Sequence, residues 1–269
     1  MPDNIERSRS ITFAVKRQQA QLNMESHVNE ILFKVAKDIV NMSKRYRNKK
    51  RITNYNKFSS DARAIARRAE GSIESYVRAY ARASVKVLGM ESTTVVDEYL
   101  KQEVFGATFM ARNRKYIKQF ADDIARMVKA GISMGYDQNK LLSAIRSGYQ
   151  SPYTASVITK AQKGNFAQIE IPHRGRGVYA ASYENVLRNA QNTIHLTWGQ
   201  AELTWGKEQG YVGYYVHRGS SYSCETCQSE VGWMHDMSEM VVPLHSRCRC
   251  FCTFAREKGD NPMDDSIDI

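Results

Sequence analysis

From His27 to Arg51 the chain reads HVNEILFKVAKDIVNMSKRYRNKKR, with Val28, Ile31, Leu32, Val35, Ile39, Met42 and Tyr46 at spacings of three and four. That period winds one apolar stripe along an α-helix, so the segment is predicted to bury one face and to end in a basic run. Asn54 to Ser60 reads as a polar connection. Asp61 is the expected cap of a second helix with stripe Ile65, Ala69, Ile73, Tyr76, Tyr80 and Val87, stopped by Gly89. Two long amphipathic helices with a short link predict an antiparallel pair. A third helix, Arg114 to Gly131, is expected to bury Ile117, Phe120, Ile124 and Met127, and Asp137 and Ser151-Pro152 mark the starts of two shorter ones.

After residue 165 the texture changes. FAQIEIPHRGRGVYAA mixes short β-like and glycine-rich pieces, and Tyr183 to Gly210 then gives a helix with Leu187, Ala190, Ile194, Trp198, Ala201 and Trp205 on one face. Gly210 is its natural end. YVGYYVHRG reads as a strand, and CRCFCTFA (248–255) as its partner. The predicted class is α+β: a mainly α-helical N-terminal region (1–165) followed by a small C-terminal α+β module (166–254) stapled by a Cys/His zinc knuckle. An acidic tail (255–269) closes the chain.

At 269 residues with 42% hydrophobic and 25% charged content, the chain can build one large or two modest cores. No apolar stretch approaches the roughly 18 residues of a membrane helix, so a soluble protein is expected, with no membrane partner. Charge alters the picture more. The net charge is +11, and residues 1–90 hold 19 Lys/Arg against 8 Asp/Glu while 91–269 hold 20 against 20, so the excess lies in the first third. Lys44, Arg45, Arg47, Lys49, Lys50 and Arg51 crowd into eight positions around Tyr46. Such a run can touch nucleic-acid phosphates, with the tyrosine available for stacking. Equally, it suits a solvated helix end, where cations meet the negative pole of the helix dipole.

All five cysteines fall between Cys224 and Cys252. Five leaves one thiol over in any all-disulfide scheme, and the opening MPDNIERSRSITFAVKRQQ is polar and charged rather than an apolar secretory segment. A reducing cytosol is therefore expected, where clustered cysteines serve as metal ligands more often than as bridges. The pattern is Cys224-x2-Cys227, a spacer, then His245-x2-Cys248-x-Cys250-x-Cys252. A two-residue gap closes a knuckle that presents two sulfurs to one ion at about 2.3 Å. His245 and one later cysteine supply the other pair. Along an extended strand Cys248, Cys250 and Cys252 share a face, and Cys252 ranks last because it lies farthest from His245. The candidate ligands are thus Cys224, Cys227, His245, Cys248 and Cys250, for a closed structural zinc site; metal-free thiols or disulfides are the alternative.

Residues 180 to 254 also carry a resemblance. A helix with a polar Asn192-Thr193 start, a closing glycine, the tyrosine-rich strand, Cys-x2-Cys, Gly232 and then Pro243-Leu-His245-Ser-Arg-Cys248-Arg249-Cys250 resemble the C-terminal domain of the Mu F-like head morphogenesis family of tailed phages. The family typically shows Pro-Pro-His-Pro-Asn-Cys-Arg-Cys in the last element and Asp-x-x-Thr-Cys before the first knuckle. Here the latter is Ser-Ser-Tyr-Ser-Cys, and Ile194-His195 stands where a Thr-Glu pair is usual. The resemblance implies a non-enzymatic minor head protein of the virion, made in the host cytoplasm and bound inside the capsid near the portal. Its implied partners are the portal protein, capsid or scaffold proteins and packaged double-stranded DNA, and its implied work is head assembly, DNA packaging or ejection. Two other classes compete. One is a nuclease or toxin effector carrying such a module, for which His173, His195, His217 and His235 are the candidate acid–base groups. The other is a zinc-containing nucleic-acid-binding protein, which would need a recognition helix that the short, proline-ended GWMHDMSEMVVP does not offer.

Overall fold

The structure is a computed structural model and describes residues 2–104, 106–148, 182–245, 248–259 and 261–262. The first helix, α1 (Pro2–Met42), runs 25 residues further toward the N-terminus than the apolar stripe predicts, starting at Pro2 rather than His27. Counting back from Val28 in steps of three and four lands on Met24, Gln21, Arg17, Phe13, Ser10 and Glu6, all of them buried. The stripe continues, but most of its residues are polar, which hides it from a hydrophobicity count.

The basic run is not a helix end. After a 3₁₀ turn (Ser43–Tyr46) the chain forms a small hairpin, β1 (Arg47–Asn48) with β2 (Arg51–Ile52), paired Arg47 to Ile52 and Asn48 to Arg51. The next helix, α2 (Tyr55–Arg67), starts at Asn54, whose Oδ1 accepts the Lys57 N–H at 3.2 Å. Asp61, the expected cap, instead sits inside α2, ion-paired to Lys57 at 3.0 Å and bonded to the Tyr46 hydroxyl. Asn54 is the better N-cap because its short amide reaches back over the first turn. A break at Arg68–Ala69 separates α2 from α3 (Glu70–Val87), which buries Ile73, Val77, Ala81 and Val85 and leaves the expected Tyr76 and Val87 exposed.

A short α4 (Thr94–Tyr99) precedes α5 (Phe109–Ser133), capped by Thr108, whose hydroxyl accepts the Ala111 N–H at 3.2 Å. Ile117, Phe120 and Ile124 are buried as predicted, but Val128 takes the inward position and Met127 faces solvent. Asp137 does open α6 (Gln138–Gly148), accepting the Lys140 N–H at 2.8 Å. The expected helix at Ser151-Pro152 and the 166–181 segment, like residues 263–269 of the tail, lie outside the described residues.

Helix α7 (Ser182–Glu208) packs against α1, α3, α4 and α5 and is buried on nearly all sides. Asn192-Thr193 is therefore mid-helix rather than a start. Tyr183, Val186, Leu187, Ala190, Ile194, Trp198 and Ala201 belong to the main helical core with Leu32, Ile39, Phe58, Ile73, Phe120 and Ile124. The helix predicted to belong with the C-terminal module thus completes the N-terminal core; the expected boundary at 165 itself falls outside the described residues. Beyond α7, β3 (Gly213–His217) is the centre of a three-stranded antiparallel sheet, flanked by β4 (Met234–Asp236) and β5 (Phe251–Ala255). The pairing of β3 with β5 is the one the sequence predicts, in the register Tyr214 to Phe254 and Val216 to Cys252.

The outer edge of β5 meets the first turns of α1, and there the buried polar stripe finds its purpose. An edge strand leaves backbone groups that need partners. Glu6 Oε1 accepts the Phe254 N–H at 2.9 Å, Arg17 donates to the Cys250 carbonyl at 2.6 Å, and Gln21 Oε1 accepts from Arg249 at 2.9 Å. Arg9 holds Glu6 at 2.7 Å and Glu202 of α7 at 3.1 Å, with its guanidinium 4.5 Å over the Trp205 ring. Two glycines of α7 let the sheet unit approach. A Cβ at Gly206 would lie 2.6 Å from the Phe254 ring, and one at Gly199 would lie 3.1 Å from the Met240 side chain.

Candidate metal centre

Cys224 and Cys227 flank a single helical turn, α8 (Glu225–Gln228), which turns both sulfurs toward one side. The backbone before this knuckle is fixed by a close approach: a Cβ on Gly219 would stand 2.1 Å from the Arg249 carbonyl oxygen, so no larger residue fits there. The strand segment carrying the other donors is pulled in by the Cys248 N–H, which donates to the His245 carbonyl at 3.2 Å and closes a His-x2-Cys turn. Tyr214 pins the intervening loop from inside the sheet. Its hydroxyl donates to the Glu239 carbonyl at 2.8 Å and accepts the Val241 N–H at 3.0 Å.

The five predicted ligands converge. The donor atoms of Cys224, Cys227 and His245 lie within 4.8 Å of one another, as do those of Cys227, Cys248 and Cys250, so Cys227 joins the two sets. His245 Nε2 stands 3.4 Å from the Cys224 sulfur and 2.9 Å from that of Cys227. Two donors at zinc-like bond lengths in a tetrahedron stand about 3.6 Å apart. The Cys224 spacing already fits that figure, and the Cys227 spacing needs a small opening. Cys248 and Cys250 are buried, while Cys224 and His245 are half-exposed, so the cluster forms one wall of the small second core. All five cysteines are free thiols.

Crowded sulfurs in such a place share protons unevenly. Hydrogen bonds from Cys227 and then Cys250 hold the Cys248 thiol well below the usual thiol range, and the bond to Cys248 pushes Cys227 up. One sulfur is thus already disposed to be a thiolate, the form that binds metal. Cys252 lies apart, as its low ranking anticipates: it is buried among Tyr214, Met240 and Phe254, with its sulfur 3.6 Å from that of Met240. Burial pushes its thiol well up, so it behaves as an apolar side chain.

The candidate acid–base histidines are dispersed. His195 is fully buried in α7, and burial holds it well below the ordinary imidazole range. His217 shares a 2.7 Å hydrogen bond with Thr253, and His235 bonds the Glu230 carbonyl at 2.9 Å and stacks on Tyr214. His173 lies outside the described residues. The basic run stands away from the cysteines, and Lys44, Arg45, Arg47, Lys49, Lys50 and Arg51 are all exposed.

Sequence reasoning missed the α1 side chains behind the cysteine cluster. Arg17 holds the Cys250 carbonyl, and Gln18 and Gln21 hold the Arg249 side chain; the Gln18 amide oxygen, turned to accept, takes the Arg249 guanidinium at 2.8 and 2.9 Å. The signal was available as helical periodicity of buried polar residues, not of apolar ones. No family model, no curated protein and no solved structure matches this chain. Among the described residues no helix is long and apolar enough to cross a membrane.

Proposed function

We propose that the protein is a tailed-phage minor head protein whose C-terminal unit is stapled by one structural zinc ion, bound by Cys224, Cys227, His245 and Cys248. The observation that carries the reading is the convergence of the Cys-x2-Cys knuckle and the Pro-x-His-x2-Cys-Arg-Cys element on one half-buried site, since these are the residues on which the family resemblance rests. Cys248 is the fourth ligand rather than Cys250 because its own N–H closes the turn to His245, and because its sulfur already accepts from the neighbouring thiols. Cysteine and imidazole donors suit zinc, and four protein ligands leave it no open position for a substrate. Its role is then to hold the loop from Met237 to Cys250, whose described residues form no helix or strand, against the sheet.

On this reading the protein sits inside the capsid near the portal, contacts portal and capsid or scaffold proteins, and assists assembly, packaging or ejection without catalysis. Quantitative mass spectrometry of purified particles tests it. A few copies per head that remain with the portal after the DNA is released are expected, and complete absence from mature particles and proheads overturns it. Elemental analysis of protein purified without chelator tests the metal separately, with close to one zinc per chain expected. Loss of that zinc in Cys248→Ser but not in Cys250→Ser identifies the fourth ligand.

A further inference from the structure

The hairpin that the basic run forms stands where α2 begins and α5 ends. Tyr46 packs on Phe58 of α2 at 5.5 Å between ring centres, β2 packs on α5, and Arg47 donates to the Tyr136 carbonyl just beyond α5 at 3.1 Å. Between α2 and α5 runs an open cleft of about 520 Å³ lined by Tyr55, Ser59, Arg63, Asp122, Arg126 and Lys129. Hairpin and cleft therefore adjoin along one face. We infer that this face, from the hairpin tip across the α2–α5 cleft, is a docking surface for the phosphate backbone of double-stranded DNA, read without sequence preference.

Charge accounting singles out the hairpin and one cation of the cleft. Among the described residues, Lys44, Arg45, Lys49, Lys50, Arg51 and Lys129 have no carboxylate within ion-pair distance, whereas Lys57, Arg78, Arg82 and the cleft's own Arg63 and Arg126 each have at least one. The hairpin that carries the unpaired cations is a fixed frame: Arg47 is tied down by its bonds to the Lys49 and Tyr136 carbonyls, Lys49 takes φ 51° in the turn, and the exposed Lys50 lays its stem against Gly135, where an added Cβ would stand 3.7 Å from its Cε. In the cleft, Lys129 rides over the Tyr55 ring at 4.6 Å, and beside the hairpin Lys140 rides over Tyr136 at 4.2 Å, which keeps both ammonium groups on the surface. Phosphates spaced a few ångströms apart along a duplex suit such a row of point charges, and their condensed counterions are released on contact. A membrane is the poorer match. The apolar residues of the hairpin region, Ile52, Tyr46 and Tyr55, pack against the helical core, and none stands at the tip to enter a bilayer.

This inference gives a surface to one partner that the head-protein resemblance implies, duplex DNA, but it is carried by residues other than the cysteine site and stands without that reading. The test uses the full-length, metal-loaded chain and a duplex of random sequence, with affinity followed from low to moderate salt. Binding is expected to weaken linearly on a log–log plot. The variant Lys49→Gln, Lys50→Gln, Arg51→Gln should reduce the slope by about 2 to 3, since each lost phosphate contact removes roughly 0.9. In the cleft, the variant Lys129→Gln should reduce it by about 1. Reversal of the same positions to Glu should abolish binding, and far-UV circular dichroism reports whether each variant keeps its helices. No binding at low salt, or a slope that either neutralised variant leaves unchanged, overturns the composite surface. So does binding to vesicles with anionic headgroups that duplex DNA cannot compete away. None of these outcomes touches particle composition, so the failure of this inference and of the head-protein reading are told apart.

Discussion

In the helical body, Leu32, Ile39, Phe58, Ile73, Phe120 and Ile124 belong to one large apolar cluster and shield one another. In the C-terminal sheet unit the comparable interior is Leu203, Tyr214, Val216, Met237, Val242, Phe254 and four cysteines. The first is a core in the ordinary sense, held by apolar area removed from water. The second is too small to order its long loop by that means, and its cysteines occupy positions that aliphatic side chains would otherwise fill. Between the two lies neither kind of packing but a layer of buried charged and polar groups: Glu6, Arg17, Gln18 and Gln21 from α1 and Glu202 from α7. Burial pushes the Glu202 carboxyl up while Arg9 and Arg17 pull it back, and burial likewise draws the Arg17 guanidinium down against the pull of Glu202. A seam of this type is strong only when every partner is in place, so on the proposed zinc reading the small unit depends both on that ion and on the helix that covers its edge.

The largest expected effect follows from Cys227, the residue common to both donor sets. Cys227→Ser should remove the metal and with it much of the roughly 10 to 16 kcal/mol that structural zinc contributes to small folds near neutral pH. The outcome to look for is loss of bound zinc and of near-ultraviolet dichroism from the sheet unit while most far-ultraviolet helix signal persists. A single cooperative collapse of the whole chain would show that the two regions are one folding unit, which the sharing of α1 and α7 makes a real contest. Phe120→Ala comes next. It opens a cavity in the middle of the helical core and should cost about 3 to 5 kcal/mol in a denaturant titration, with zinc content unchanged. Zinc lost at the native baseline would erase the contrast between the regions.

How the sequence served as a guide follows the same division. Where burial is apolar and the period is helical, as at Ile117, Phe120, Ile124 or Leu32, the elements were legible, and the strand pair β3 and β5 was legible from Tyr and Val alternation beside the cysteines. The five clustered donors were legible because thiols and imidazole have few other reasons to recur at knuckle spacing. What was not legible was the burial of polar residues. The first 25 residues look like a solvated segment because nothing in a hydropathy pattern says that Glu6 will cap the Phe254 N–H or that Arg17 will hold the Cys250 carbonyl. The hairpin at Lys49 was hidden for a related reason: a helix stripe ending in cations looks the same whether the chain stops there or turns back.

Acid should separate the regions at intermediate strength. Burial lowers His217 from its ordinary value to about 4, and its ring is committed to Thr253 on β5. The unfolded chain takes up a proton near pH 6.5 whereas the folded sheet does not until near pH 4, so stability is fully present above 6.5 and declines as pH falls through that window. The loss should reach at most about 3 kcal/mol and should fall on the sheet unit. His217→Gln should flatten this part of the profile. Because protonation of the metal ligands acts in the same direction, zinc must be measured at each pH; a decline that His217→Gln leaves unaltered at constant zinc content would remove His217 as its cause.

The smallest predicted effect bears on the seam itself. Gly206 sits inside α7, where glycine costs helix stability relative to alanine by about 1 kcal/mol, so on propensity alone Gly206→Ala would be favourable. The docked sheet reverses that sign. An added Cβ meets the Phe254 ring at 2.6 Å and the Met237 methyl at 3.0 Å. Phe254 cannot give way freely, being packed against Trp205, Tyr211 and Tyr214 and tied through its backbone N–H to Glu6. Overpacking of this kind costs about 1 to 3 kcal/mol, which leaves a net loss of up to about 2 kcal/mol. In the metal-depleted protein, where the sheet no longer presses on α7, the same substitution should become neutral or slightly stabilising. Thermal unfolding of Gly206→Ala with and without zinc checks this, and a penalty that persists unchanged after metal removal would mean that the sheet unit stays docked on α7 without its ion.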